Sequence, residues 1–177
     1  GTNEIKPVET SHAEFQKCED DAKNKLNKLL NIKGTRTADD FHRALGDIMW
    51  THVGMARNEP GLKTAITEIQ KLRKEFWEDL KIPGSTEGVN IELEKAGRVA
   101  DFLELGELMA RDALNRPESC GGHFREESQT DDNEALRDDD NYAHGAVWEF
   151  TSVDKEPVRH REELKFEHVP LTQRSYK

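Results

Sequence analysis

The sequence predicts a mainly α protein: an antiparallel helical bundle followed by an extended tail with short β-strands. Three observations carry this. Four stretches before Pro117 repeat apolar residues every three or four positions, the spacing of one helix face. Hydrophobic residues make up 34% of the 177 residues and charged residues 35%. That balance suits helices with long solvated faces and is too poor in apolar runs for a buried parallel sheet. Beyond Pro117 the helical period is lost. The expected division is a bundle over residues 1–116 and an irregular, partly β tail over residues 117–177 that packs on it.

The first helix is expected to open in "SHAE", with Ser11 as N-cap and Glu14 completing a capping box, and to run to about Ile32, before Gly34. Phe15, Cys18, Ala22, Leu26, Leu29 and Leu30 form its stripe. A second helix starts after Thr37, with Phe41, Ala44, Leu45, Ile48, Met49, Val53 and Ala56 as its apolar face. Asn58 reads as the cap of a third helix, with Glu59 and Pro60 in its first turn, where proline is tolerated. Its buried face is Leu62, Ala65, Ile66, Ile69, Leu72, Phe76 and Leu80. After the loop "KIPGSTEG", a fourth helix runs from near Asn90 to about Arg116. Its stripe of Leu93, Ala96, Val99, Ala100, Leu103, Ala110 and Leu114 is widened by Phe102, Leu105 and Met109, which predicts a central position in the bundle. In the tail, "GAVWEFTSV" and "EELKFEHVP" read as strands separated by a polar turn around "DKEPVRH", and the acidic run "TDDNEALRDDDNYAH" reads as a solvated loop. Trp50, Trp77 and Trp148 read as core or interface packing.

Composition narrows the function. A formal net charge of −10 with no basic stripe argues against nucleic acid as a partner. The two cysteines, Cys18 and Cys120, lie too far apart in sequence to form the framework of a secreted domain. No apolar run approaches the roughly 18–20 residues of a membrane span, and the polar start "GTNEIKPVETS" does not read as a signal peptide. The segment "RPESCGGHFREES", residues 116–128, stands apart. Cys120 and His123 have the spacing of a metal pair, but a closed zinc site needs four ligands, and His144 and His160 have no evident route to it. A Cys–His nucleophile pair is conceivable but lacks an orienting third group. A glycine turn with unusual backbone angles is the plainer reading. Glu126 and Glu127, beside Arg125, read as surface ion-pair partners rather than an acid–base pair. "DDNEALRDDDN" fails the calcium-loop pattern, with Ala135 and Leu136 where an oxygen ligand and glycine belong. No phosphate loop, dinucleotide fingerprint or nucleophile elbow occurs.

Taken in order along essentially the whole chain, "DIMWTHVGMARNEPGL", "LEKAGRVADFLELGELMARDAL", "ESCGGHFREES", "LRDDDNYAH" and "VPLTQRSYK" together resemble the C-terminal domain of the flavoprotein subunit of succinate dehydrogenase and fumarate reductase. "DIMWTHVGMARNEPGL" is similar to the family's helix ending in a Gly-x-x-Arg turn, here Gly54 to Arg57. "LEKAGRVADFLELGELMARDAL" resembles its central helix. "ESCGGHFREES" resembles the Glu-Ser-Arg-Gly-Ala-His signature, with Glu118, Ser119, Gly121 and His123 matching. "LRDDDNYAH" resembles the stretch before the tail strands, and "VPLTQRSYK" the terminal Pro-x-x-Arg-x-Tyr, with one extra residue. Cys120 stands where many members have arginine and Gly122 where they have alanine, a form similar to the bacterial branch anchored by a single-chain cytochrome b.

The resemblance implies a spectrin-repeat-like three-helix core with an irregular tail. It also implies a place in an oxidoreductase interconverting succinate and fumarate, with electrons passing to or from quinone. FAD and the catalytic residues would belong to upstream flavin-binding and capping domains whose motifs are absent here, so the fragment alone is expected to be inactive, without cofactor or metal. The implied partners are those two domains, a cytochrome b membrane anchor and an iron–sulfur subunit, at the cytoplasmic face of the cell membrane and without direct membrane insertion. Arg57, Glu118, Ser119, Gly121, His123 and Arg125 are the candidate interface with the flavin domain. On that reading His123 and Arg125 are ordinary surface side chains, whose truncation to alanine changes the fragment's stability by no more than about 0.5 kcal/mol. A free-standing helical interaction domain is the alternative.

Overall fold

The computed structural model describes residues 8–84, 88–152 and 155–172. Within them the fold is mainly α with small sheets, in the order α1 (Ala13–Asn31), α2 (Ala38–His52), β1 (Ala56–Arg57), α3 (Glu59–Asp79), α4 (Ile91–Leu114), β2 (Phe124–Arg125), α5 (Asp139–Tyr142), β3 (His144–Glu149) and β4 (Val158–Glu163). Residues 85–87 of the "KIPGSTEG" loop and residues 173–177, with Arg174 and Tyr176 of the terminal motif, lie outside the described residues.

Local chemistry sets most helix starts. At α2, Thr37 and Asp40 cap each other: the Thr37 amide and hydroxyl donate to Asp40 Oδ2 at 2.9 and 2.7 Å, and the Asp40 amide donates back to Thr37 Oγ1 at 3.3 Å. Asn58 Oδ1 accepts from the Gly61 amide at 2.8 Å at the head of α3. Asn90 Oδ1 accepts from the Glu92 and Leu93 amides at α4. The start of α1 differs from the expectation. His12, not Ser11, is the N-cap, and its Nδ1 accepts from the Glu14 amide at 3.3 Å.

The chain divides into two compact units, residues 1–44 with 71–103 and residues 45–70 with 104–177. The first unit has a core of Leu29, Ala38, Phe41, Leu72, Phe76, Leu80, Ala96, Val99, Ala100 and Leu103. Phe41 meets the Phe76 ring edge-on at 5.3 Å between centroids, and Phe76 meets Trp77, whose face carries the Lys28 ammonium at 4.0 Å. Its connection after α1 is held to the end of α3: Gly34 donates to Leu80 O, Thr35 to Asp79 O and Lys81 to Arg36 O. The expected α1 stripe is corrected, because only Leu29 of it is buried while Phe15, Cys18, Ala22 and Leu26 are exposed.

The second unit buries Leu45, Val53, Leu62, Ala65, Ile69, Ala110 and Ala113. β1 and β2 pair in parallel, Ala56 opposite Phe124 and Arg57 opposite Arg125. β3 and β4 form an antiparallel hairpin with His144 opposite Glu163 and Glu149 opposite Val158. The second tail strand therefore begins within the expected "DKEPVRH" turn, several residues earlier than "EELKFEHVP" implied. Trp148 anchors the hairpin by donating to Asp112 Oδ1 of α4 at 2.8 Å, and Arg111 pairs with Glu156. The acidic run holds the one-turn α5, with Asp138 as its N-cap. Trp50 is 87% exposed and so is not core packing. Phe102, Leu105 and Met109, expected to widen the buried face of α4, are exposed as well.

Candidate functional site

The segment after α4 is built on three buried polar residues. Pro117 cannot continue a helix, and α4 ends at Leu114. Cys120 and His123 then exchange backbone hydrogen bonds at 2.8 and 3.1 Å, closing a two-residue hairpin. Gly121 stands at φ +60°, the left-handed angle that the first central position of such a tight turn requires. Beneath the turn, Glu118 is 2% exposed and Ser119 fully buried. Glu118 accepts from Arg116 Nε at 2.6 Å and from the Asp138 amide at 2.9 Å, joining the loop to the start of α5. Ser119 Oγ accepts from the Arg125 amide at 2.8 Å and donates to the Arg125 carbonyl at 3.2 Å.

Arg125 is 2% exposed. Its Nη1 donates to the Ala113 carbonyl at 2.9 Å, capping the C-terminal end of α4 where carbonyls lack helical partners, and its Nε pairs with Glu127 at 3.1 Å. This corrects the expectation that Arg125 is an ordinary surface residue. Glu126 and Glu127 turn to the head of α3. Asn58 Nδ2 donates to Glu126 at 2.7 Å, and the Glu59 amide donates to Glu127 at 2.5 Å. Burial pushes the Glu127 carboxyl up, but the hydrogen bonds of the Glu59 and Glu127 amides and the Arg125 guanidinium outweigh it and hold it below the usual 4.5.

Arg57 and His123 complete the site. Arg57 Nε donates to the carbonyls of Val53 and Gly54 at 3.1 and 3.0 Å, and its Nη1 lies 2.8 Å from His123 Nδ1. His123 Nε2 lies 2.7 Å from the Arg116 carbonyl. A guanidinium only donates and a carbonyl only accepts, so His123 is the neutral tautomer with its proton on Nε2. Burial lowers its pKa below 6.5; the Arg116 carbonyl opposes this, and the charges of Arg57, Arg125 and Arg116 add to it.

The six residues singled out from the sequence thus lie in one assembly, with two kinds of position. Glu118, Ser119 and Arg125 face inward and spend their polar atoms within the chain. Arg57 and His123 are half-buried, and Gly121 and Gly122 form an exposed tip. The sequence reading missed Arg116 and Asp138; a buried acid at 118 needs a cation close in the chain, and Arg116 is the nearest. Among the described residues no three His, Cys, Asp or Glu side chains are grouped as metal ligands, and no buried side-chain nitrogen or oxygen lacks a hydrogen-bond partner. FAD calls for a strand entering a helix whose first amides face a pyrophosphate. At the junction of β1 with α3 those amides are taken by Asn58 and Glu127, so these residues do not fit the dinucleotide.

Fold and site together define a helical domain whose loop–helix junction is an internally braced scaffold. The chain belongs to the fumarate reductase flavoprotein C-terminal family, whose model matches residues 42–176. It is 28% identical over 122 residues to a fumarate reductase flavoprotein subunit of Proteus vulgaris, covering 69% of this chain and 20% of that protein. It is 27% identical over 97 residues to a succinate dehydrogenase flavoprotein subunit of Bacillus subtilis, covering 55% of this chain and 16% of the relative. Its fold is similar to part of an E. coli quinol fumarate reductase structure, with a TM-score of 0.73 at 20% identity, covering 94% of this chain and 27% of that one. The chain therefore spans about a fifth of the length of the curated relatives it matches. No helix among the described residues is long and apolar enough to cross a membrane.

Proposed function

We propose that this chain is the non-catalytic terminal domain of a flavin-dependent subunit that interconverts succinate and fumarate. In this reading FAD and the reacting groups belong to flavin-binding and capping domains, and the Gly121–Gly122 tip, with Arg57 and His123 behind it, is the surface that meets them. A cytochrome b anchor and an iron–sulfur subunit complete the complex, at the cytoplasmic face of the membrane. One observation carries the reading. Within the matched family segment, Glu118, Ser119 and Arg125 brace the hairpin from below, leaving its glycine tip exposed above.

The tip also supplies the test. A Cβ built on Gly122 meets nothing within 4 Å, and Gly122, unlike Gly121, does not have positive φ. Gly122→Gln is therefore expected to leave the melting temperature of the isolated chain unchanged. In the complete subunit it should lower flavin content and succinate oxidation, because the added side chain occupies the docking surface. Unchanged flavin content and activity in the complete subunit would remove the docking role. A parent reading frame with no flavin-binding region would favour a free-standing interaction domain.

A further inference from the structure

We propose that His123 is an acid-released latch: neutral, it accepts a hydrogen bond from Arg57 and holds the Cys120–His123 hairpin against the Val53–Arg57 turn; protonated, it lets the hairpin tip go. The inference concerns this chain alone and does not depend on the docking reading.

The geometry leaves the ring no second way to bind. Its Nε2–H is committed to the Arg116 carbonyl at 2.7 Å and its Nδ1 lone pair to Arg57 Nη1 at 2.8 Å. A proton can enter only at Nδ1. There it would place one N–H donor against another and one cation against another at hydrogen-bond distance. Arg57 is not free to yield, because its Nε is held by the carbonyls of Val53 and Gly54.

Three charges act on the ring, and all three oppose its protonation. Arg57 faces it from β1, Arg125 acts on it from β2, and Arg116 from the chain leaving α4. The carboxylates nearby are engaged elsewhere. Asp112 of α4 acts on Arg57, Glu118 is held by Arg116 and the Asp138 amide, Glu126 by Asn58, and Glu127 by Arg125 and the Glu59 amide. None of them accepts a hydrogen bond from the imidazole, so among the described residues no carboxylate offsets an imidazolium here. Burial and the three guanidinium groups therefore favour the neutral ring, the Arg116 carbonyl being the one opposing contact.

What moves is limited by what stays bonded. The mutual Cys120–His123 backbone bonds keep the turn intact. Ser119 and the β1–β2 pairing hold Arg125 in place irrespective of pH. Release is thus confined to the tip, with Gly121 and Gly122 the reporting residues.

The test needs no variant at its first stage. In the ¹⁵N-labelled chain, His123 is assigned through bonds from its backbone, and its ring and the Gly121 and Gly122 amides are followed from pH 7.5 to 4.5. The expected results are a proton on Nε2 at pH 7.5, a titration midpoint below 6.5, and glycine shifts that follow the same midpoint. His123→Asn keeps an acceptor near Nδ1 and cannot titrate, so it should flatten the glycine response. Arg57→Gln removes the opposing cation and should move the His123 midpoint upward. A proton on Nδ1 at neutral pH, a midpoint at or above 6.5, or glycine signals that ignore the His123 transition would each overturn the latch.

Discussion

Arg125→Ala puts the bracing of the site to a quantitative test. The wild-type guanidinium is almost fully enclosed and makes two kinds of contact. The bond to the Ala113 carbonyl is charge-assisted and buried, and hydrogen bonds to charged groups contribute about 1.5–3 kcal/mol. That carbonyl is not wholly abandoned by the truncation, since the Arg116 amide approaches it at 3.4 Å. The pair with Glu127 adds less, because the Glu127 side chain is 43% exposed and solvent screens it; under about 1 kcal/mol is the measure of such pairs. The truncation also removes the buried stem of the side chain. The sum is a loss of about 3 kcal/mol, with a fall in melting temperature of about 6–12 °C at about 2–4 °C per kcal/mol for a chain of this size. Urea unfolding followed by circular dichroism measures the first and a thermal melt the second. Arg125→Lys should recover part of the loss, since it keeps the charge but not the fork of donors. A change within about 0.5 kcal/mol for Arg125→Ala would refute the reasoning and return Arg125 to the surface.

Three further outcomes are expected. Gly34→Ala should destabilise the chain by more than about 3 kcal/mol or prevent folding, because its Cβ would lie 1.9 Å from the Asp79 carbonyl carbon; a soluble variant with an unchanged urea midpoint would contradict this. Glu118→Gln replaces an acceptor that faces two donors with a group carrying its own donor, and should cost about 2 kcal/mol in the same unfolding assay. Glu127 has its pKa held down in the folded chain, so its contribution is present above 4.5 and lost as pH falls through the lower folded value. Amide exchange at Glu59 and Gly61–Leu62 should therefore rise above its intrinsic acid profile in that window, and in Glu127→Gln the excess should be absent.

The sequence made α2, α3 and α4 legible because their starting signals are local. Thr37, Asn58 and Asn90 each reach an amide two or three residues ahead, so spacing alone reveals them. It misled at α1 because Ser11 and His12 are both able to accept, and only backbone geometry chooses between them. It also overstated the buried width of α4: periodicity locates an apolar face but not how much of it a neighbour covers, and Phe102, Leu105 and Met109 remain exposed. The β1–β2 pair could not be seen at all, since two residues have no period. In the site, glycine, histidine and arginine were recognisable as a group, but their division into inward and outward members was not. That division depends on the Ala113 carbonyl, the Asp138 amide and the head of α3, partners whose positions follow only from the folded chain.

The bonds that tie the loop to the head of α3 join residues 68 apart in sequence. Closing a flexible loop of that length costs about 4 kcal/mol of chain entropy from the length-dependent part alone. Neither Asn58–Glu126 nor Glu59–Glu127 can recover that sum before α3 and α4 exist and have drawn their ends together. The loop is therefore among the last parts of the chain to be made during folding, and its contacts should be absent from the transition state. Changes at Arg125 or Ser119 then act on the rate of escape from the native state and leave the refolding rate nearly untouched. Folding speed in this domain is set by its helices, and the lifetime of the folded form by a polar loop that takes no part in reaching it.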